Sequence, residues 1–292
     1  MAEVLRTNSI KVVGRLISTD LKTGNRKDNG QGYISGNITI QSVFGGSTKE
    51  FEVALYANEQ TQAKQPNKLY ISYSKLNELV GKKVEVTGEL RENRYWSTNA
   101  KQLVSAQQLS GRFVRGVSES TEDEAKYELG GFVVSTLAER KNKAGEIYRY
   151  DLQLGQANYS GNALSIFTLH VQPSDVEIIK GLQNMYKAGD TVLVNGILDY
   201  KVETVTRASD NVGFGSGAVH TFTNRTRQLW IAGGSNVYTS EEQGKYPELV
   251  IRDLIASYKA KDVELAAKAQ EGDKADAAED KPVITGRQTS LI

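Results

Sequence analysis

Ile10-Lys11-Val12-Val13-Gly14-Arg15-Leu16-Ile17-Ser18 decides the reading of this chain, because it returns as Tyr127-Glu128-Leu129-Gly130-Gly131-Phe132-Val133-Val134-Ser135. Both stretches alternate like a half-buried strand, carry a glycine at the same place and end on a serine. Two further blocks recur in the same order. Phe51-Glu52-Val53-Ala54-Leu55 answers to Phe167-Thr168-Leu169-His170-Val171, and Gly81-Lys82-Lys83-Val84-Glu85-Val86-Thr87-Gly88-Glu89-Leu90 answers to Gly189-Asp190-Thr191-Val192-Leu193-Val194-Asn195-Gly196-Ile197-Leu198. Ordered recurrence of this kind points to one small fold present twice.

The segments between these blocks supply the rest of each unit. In the first half, the polar run 19–32 reads as a long turn, Tyr33 to Ile40 resumes the period of two, and Gly45-Gly46 turns the chain into a third strand at Phe51 to Tyr56. Ser74 to Val80 predicts a short helix; Val84 to Leu90 and Gln102 to Leu109 predict the fourth and fifth strands. The second half repeats the order: strands at Phe132 to Leu137, Tyr148 to Leu154 and Leu164 to Val171, a helical connection over Pro173 to Tyr186, then strands at Val192 to Asp199 and around Trp230. Three strands, a helix and two strands are the order of the OB-fold, a five-stranded partly open barrel. The expected class is therefore all-β, two tandem OB-fold barrels with a C-terminal helix and a flexible tail. The boundaries are 5–117 for a first, basic barrel, 118–125 for an acidic linker, 126–239 for the second barrel, 240–270 for a helical extension and 271–292 for the tail, whose apolar content is too low to fold alone.

Composition excludes several classes. There is no cysteine, hence no disulfide or thiolate metal site, and the two histidines, His170 and His220, lack metal-ligand spacing. No nucleophile elbow or P-loop is present, and Gly213, Gly215 and Gly217 sit outside the strand-to-helix setting of a phosphate cradle. A binding protein that performs no chemistry, with no cofactor and no metal, is expected. The N-terminus lacks the apolar run of a signal peptide and no stretch approaches a membrane span, so the expectation is a soluble cytoplasmic protein with no membrane partner.

A formal net charge of +1 conceals an uneven distribution. Residues 1–118 carry 17 Lys and Arg against 10 Asp and Glu, a net of +7, whereas 119–239 carry 11 against 14 and 240–292 carry 8 against 11, a net of −3 each. A basic first unit suits a polyanion. An OB barrel that holds a single strand needs aromatic faces for bases within a cationic groove for phosphates. Lys22, Arg26, Lys27 and Tyr33 fall in and after the loop joining strands one and two, and Arg91, Arg94, Tyr95 and Trp96 follow strand four directly; these loops flank the usual OB ligand face. The second unit offers Arg140, Lys141, Lys143, Tyr148, Arg149 and Tyr150 around its hairpin. Phe51, Phe132 and Phe167 lie on apolar strand faces and read as core, as does Trp230; the neighbours of Trp96 are not core-like.

Taken together, the paired OB-like units, the cationic and aromatic loops and the C-terminal extension resemble the tandem-OB single-stranded DNA-binding proteins of tailed bacteriophages. The resemblance covers roughly residues 5 to 238 and implies sequence-non-specific coating and protection of single strands in replication or recombination, in the host cytoplasm, through the fourteen residues just named. It also implies self-association and recruitment of replication proteins by the C-terminal tail. Here the tail's acidic cluster, Asp273, Asp276, Glu279 and Asp280, is diluted by Lys274 and Lys281. An RNA-binding module would use the same residues, and a phage structural or assembly protein using OB barrels for protein contacts is the alternative from another class.

Overall fold

The computed structural model describes residues 4–98, 100–208 and 219–279, with side chains described outside 202–225 and 270–279. Five strands, β1 (Asn8–Asn25), β2 (Gly32–Phe44), β3 (Ser47–Asn58), β4 (Lys83–Ser97) and β5 (Gln102–Gly116), close into a first barrel. β1 pairs antiparallel with β2 and β4, β2 with β3, and β4 with β5, while β3 meets β5 in parallel. A second barrel of the same order is built from β6 (Glu124–Lys141), β7 (Ile147–Ala157), β8 (Leu164–Val171), β9 (Thr191–Ala208) and β10 (Val219–Gly234). In it, β6 pairs with β7 and β9, β7 with β8, β9 with β10, and β8 meets β10 in parallel at His170 and Trp230. This is the all-β OB architecture that the element order predicts.

Helices α1 (Lys68–Ser74) and α2 (Val176–Met185) join the third and fourth strands of each barrel, and α3 (Glu248–Glu279) follows the second. Asn67 starts α1 by accepting a hydrogen bond from the Leu69 amide at 3.0 Å, which places this helix before Ser74 rather than after it. A short 3-10 turn, Leu76–Leu79, fills the place where the spacing predicts the helix. No helix among the described residues is long and apolar enough to cross a membrane.

Alternate residues point inward, so Phe51, Phe132 and Phe167 are all buried, as are Ile10, Val12, Val84 and Val86 in the first barrel and Leu129, Leu154, Val192 and Val194 in the second. The glycines of the recurring blocks have a shared physical cause. A Cβ on Gly14 would stand 2.4 Å from the Gln41 carbonyl oxygen, and one on Gly131 would stand 2.3 Å from that of Gly155. Likewise a Cβ on Gly88 would stand 2.0 Å from the Ser110 oxygen, and one on Gly196 would stand 1.9 Å from that of Trp230. At both places the barrel wall bends so sharply that neighbouring backbones approach within the volume of a methyl group. Register shifts follow the same plan, at Leu16/Ser18 and Val133/Ser135 in the first strands and at Thr87/Gly88 and Ile231/Gly233 in the closing pairs.

The barrels are joined by a seam. Residues Asn8–Val13 of β1 pair antiparallel with Glu124–Leu129 of β6, and Ile10 lies opposite Tyr127. Asn8 reinforces the seam, donating to the Leu90 carbonyl at 3.0 Å and to Gln156 at 2.9 Å while accepting from the Leu90 amide at 2.8 Å. The predicted linker is short and anchored. Arg15 pairs with Glu119 and Lys83 with Asp123, each at 2.7 Å, and Glu124 and Ala125 already belong to β6.

Several predicted loops are strands. The backbone of Ser18–Asn25 pairs with Gly32–Thr39, leaving only residues 26–31 as the turn, and Leu90–Ser97 pairs with Gln102–Leu109. No side chain of Ser18–Asn25 is buried, and Arg91–Ser97 has solvent on one face and α3 on the other, so neither stretch shows an apolar alternation for sequence reading to detect. Beyond Tyr200 the predicted loop is likewise a paired ribbon, β9 and β10 pairing out to Ala208 and Val219. The predicted Gly213, Gly215 and Gly217 loop lies outside the described residues, as does 280–292 of the predicted tail. α3 itself continues past Gln270 to Glu279, where the sequence is rich in the helix formers Ala, Lys and Glu.

Candidate nucleic-acid interface

Each barrel lends its long β-ribbon to the other. From the first barrel, Gln107 of β5 donates to the Thr168 carbonyl at 3.0 Å, and the Glu92 carboxylate of β4 accepts from the Ile166 amide at 2.8 Å; both partners lie on β8. From the second barrel, Arg227 of β10 pairs with Glu52 of β3 at 3.2 Å, and the buried Tyr200 of β9 sets its ring 5.4 Å from that of Phe51. Lys49 of β3 pairs with Asp199 of β9, with both side chains about nine-tenths buried, and Asp199 also accepts from the Trp230 indole at 3.2 Å. Burial works against ionisation of Asp199, but the Lys49 ammonium and the indole N–H hold its carboxyl below the usual range.

The crossing leaves two surfaces that suit a single strand. The first is the outer face of β2 and β3. Tyr33 and Tyr56 stack there with ring centroids 5.9 Å apart and planes 24° from parallel, and Tyr56 is 51% exposed. Predicted cations surround this pair: Lys22 is exposed on β1, Arg26 pairs with Asp28 at 3.2 Å in the turn, and Lys27 is exposed and makes no ion pair among the described residues. An exposed tyrosine ring stacked on a half-buried one, beside a cationic hairpin, combines the two contacts that a single strand requires.

The second surface is a cleft of about 510 Å³ between the first barrel's ribbon at Gln107 and the second barrel's β7 and β8, with Arg140, Arg149 and Arg227 among its lining residues. Asp151 organises it. This buried carboxylate binds Arg140 at 2.6 Å, Arg149 at 2.9 Å and His170 Nδ1 at 2.8 Å. Burial alone would raise its pKa, but hydrogen bonds from His170 and Arg140 and the charge of Arg149 hold it down at about 2. One fixed carboxylate thus holds two guanidinium groups at the cleft while neutralising only part of their charge.

The other predicted residues divide between these surfaces and the interior. Lys141 pairs with Glu139 at 3.1 Å, Lys143 is exposed in its turn, and Tyr148 is 50% exposed with the Arg149 guanidinium 5.4 Å from its ring centre. Tyr150 instead packs against the barrel core. On the β4 ribbon, Arg91 and Tyr95 face solvent, Arg91 pairing with Glu89 at 2.7 Å. Trp96 is half-buried on the opposite face with Arg94, whose side chain is only 13% exposed beneath α3. Trp230, read as core from the sequence, is half-buried and meets His170 edge to face at 5.8 Å.

Sequence reasoning missed Tyr56, Asp151 and His170 as members of these surfaces. Tyr56 was within reach, because Phe51, Val53 and Leu55 point inward and period two then turns Tyr56 outward beside Tyr33. Among the described residues no group of three or more His, Cys, Asp or Glu side chains could hold a metal ion.

Comparison with known proteins bears on this geometry. No curated protein matches the chain. Among solved structures, the wild-type single-stranded DNA binding protein from Thermus aquaticus is similar at 14% identity over 80% of this chain and 95% of that chain, with a TM-score of 0.51. A deletion mutant of the same Thermus aquaticus protein is similar at 15% identity over 85% of this chain and 99% of that chain, with a TM-score of 0.50. At such identities the likeness is one of fold. The profile that describes the YorF family matches residues 6–271, a span holding both barrels, the seam and most of α3, and the chain accordingly belongs to the YorF family.

Proposed function

We propose that this protein binds single-stranded DNA without strong sequence preference and makes or breaks no bond. The observation that carries the reading is the stacked pair of half-buried Tyr33 and exposed Tyr56 on the outer face of β2 and β3, beside the cationic hairpin of Lys22, Arg26 and Lys27. Bases would lie on the tyrosine faces, each contributing about 1–3 kcal/mol, while the lysines and arginines displace counterions from the backbone. The arginine-lined cleft would extend the path to the second barrel, so that the less basic barrel contributes locally concentrated charge. Coating of exposed strands in replication or recombination, in phage-infected cells, is the role we assign to this binding.

Titration of fluorescent oligo-dT at low and near-physiological salt, with oligo-U and duplex DNA as competitors, tests the reading. Salt-sensitive binding that duplex DNA competes for poorly is expected. Absence of binding at low salt would overturn it in favour of a protein-assembly role, and preferential displacement by oligo-U would reassign the ligand to RNA.

A further inference from the structure

Arg94 is a predicted strand contact that the protein already occupies with groups of its own. Along the β4 ribbon, Glu92, Arg94 and Trp96 alternate onto the more buried face, and α3 lies against this part of the ribbon. The Arg94 guanidinium stacks 3.5 Å from the ring centre of Tyr258 and pairs with the Asp262 carboxylate. Tyr258 in turn donates to Glu92 at 2.5 Å. Stacking on a π face together with an oxyanion partner is also what an arginine obtains from a nucleic-acid strand, from base and phosphate respectively. α3 therefore presents Arg94 with an internal counterpart of the ligand.

The two ends of α3 are held unequally. Near its start, Ile251 and Leu254 are buried in a small core with Phe132 and the adjoining Tyr246. From Tyr258 to Ala269 no side chain is buried, and those on the ribbon side, Tyr258, Asp262, Leu265, Ala266 and Ala269, are only half-covered. A helix anchored at one end and lightly packed along the other opens locally at lower cost than the barrels. The arrangement also occurs on the barrel that carries the basic excess.

We propose that the distal part of α3 is a lid that competes with single-stranded DNA for Arg94. In the free protein Asp262 and Tyr258 hold the guanidinium; on binding, the helix leaves the ribbon from about Tyr258 onward and Arg94 turns to a phosphate. This regulation rests on the nucleic-acid reading given above, and the test separates the two.

Oligo-dT affinity is measured for the full chain and for Asp262→Asn, and amide hydrogen exchange of the wild-type chain is followed with and without oligo-dT. The lid predicts that Asp262→Asn binds about threefold to tenfold more tightly, because the closed state loses its ion pair. It also predicts faster exchange over residues 258–269 of the wild-type chain when oligo-dT is bound. Equal or weaker binding by Asp262→Asn, with α3 exchange unchanged or slowed by ligand, would overturn the lid and leave binding intact. Binding by neither protein would overturn the nucleic-acid reading and the lid together. The exchange measurement needs no substitution, so it decides the matter even if the variant folds poorly.

Discussion

Ile10 and Tyr127 lie directly opposite each other across the seam between the barrels, and each is the other's counterpart in the recurring sequence blocks. The pairing of β1 with β6 is thus centred on matching positions, the arrangement of a two-fold contact built within one chain. Tyr127 is buried to 2%, and its hydroxyl finds no partner among the described residues; burial drives its ionisation far upward.

Tyr127→Phe should therefore be neutral or stabilising by up to about 1 kcal/mol, because it deletes an unmatched buried hydroxyl and keeps the ring. Tyr127→Ala should cost about 3–5 kcal/mol. Urea unfolding of the two variants checks both values, and a large loss in the Phe variant would mean that the hydroxyl is satisfied.

The Lys49 and Asp199 pair ties β3 of one barrel to β9 of the other in a buried setting. Replacing Lys49 by Met alone should cost about 3–5 kcal/mol, since the carboxylate stays buried without its countercharge. Adding Asp199→Leu should recover most of that loss. Thermal unfolding of the single and double variants reads the coupling.

Acid should loosen the arginine-lined cleft before the barrels. Asp151 is held at about 2, below the ordinary aspartate value of 3.8, so its contribution to stability is complete above the unfolded value and is lost as pH falls through the folded one. The linkage is on the order of 2 kcal/mol, spent between about pH 4 and pH 2. Asp151→Asn should be less stable at neutral pH and should flatten this part of the stability profile, as measured by denaturant titration at several pH values.

Tyr56 and Lys27 should affect binding differently. Tyr56→Ala is expected to weaken oligo-dT binding by about 1–3 kcal/mol with little change in salt dependence, because a stacking surface is lost and no charge. Lys27→Ala should lower the slope of log affinity against log salt by up to about 0.7, the value for one phosphate contact on a single strand. Anisotropy titrations over a salt series distinguish them, and an unchanged affinity in Tyr56→Ala would remove the tyrosine pair from the site.

The barrel walls were legible in the sequence wherever one strand face is buried: Val12, Val86, Leu154 and Val194 announce themselves by alternation, and Gly14, Gly88, Gly131 and Gly196 by recurrence. The ribbons were not, because Arg91 to Ser97 has water on one side and α3 on the other, leaving no apolar rhythm. Charge and aromatic content located the loops that matter but could not orient them. Arg91 and Arg94 look equivalent as letters; strand pairing turns one to solvent and the other under a helix that begins more than 150 residues later. The cleft at Asp151 was hidden for a related reason, as its walls come from β5, β6, β7, β8 and β10 and no local spacing records their meeting.

The seam has a directional consequence. If both faces take a strand and its path runs across the two-fold axis, they receive it in opposite senses. A single continuous strand would then satisfy both only by doubling back between them, leaving a compact looped footprint instead of a straight track.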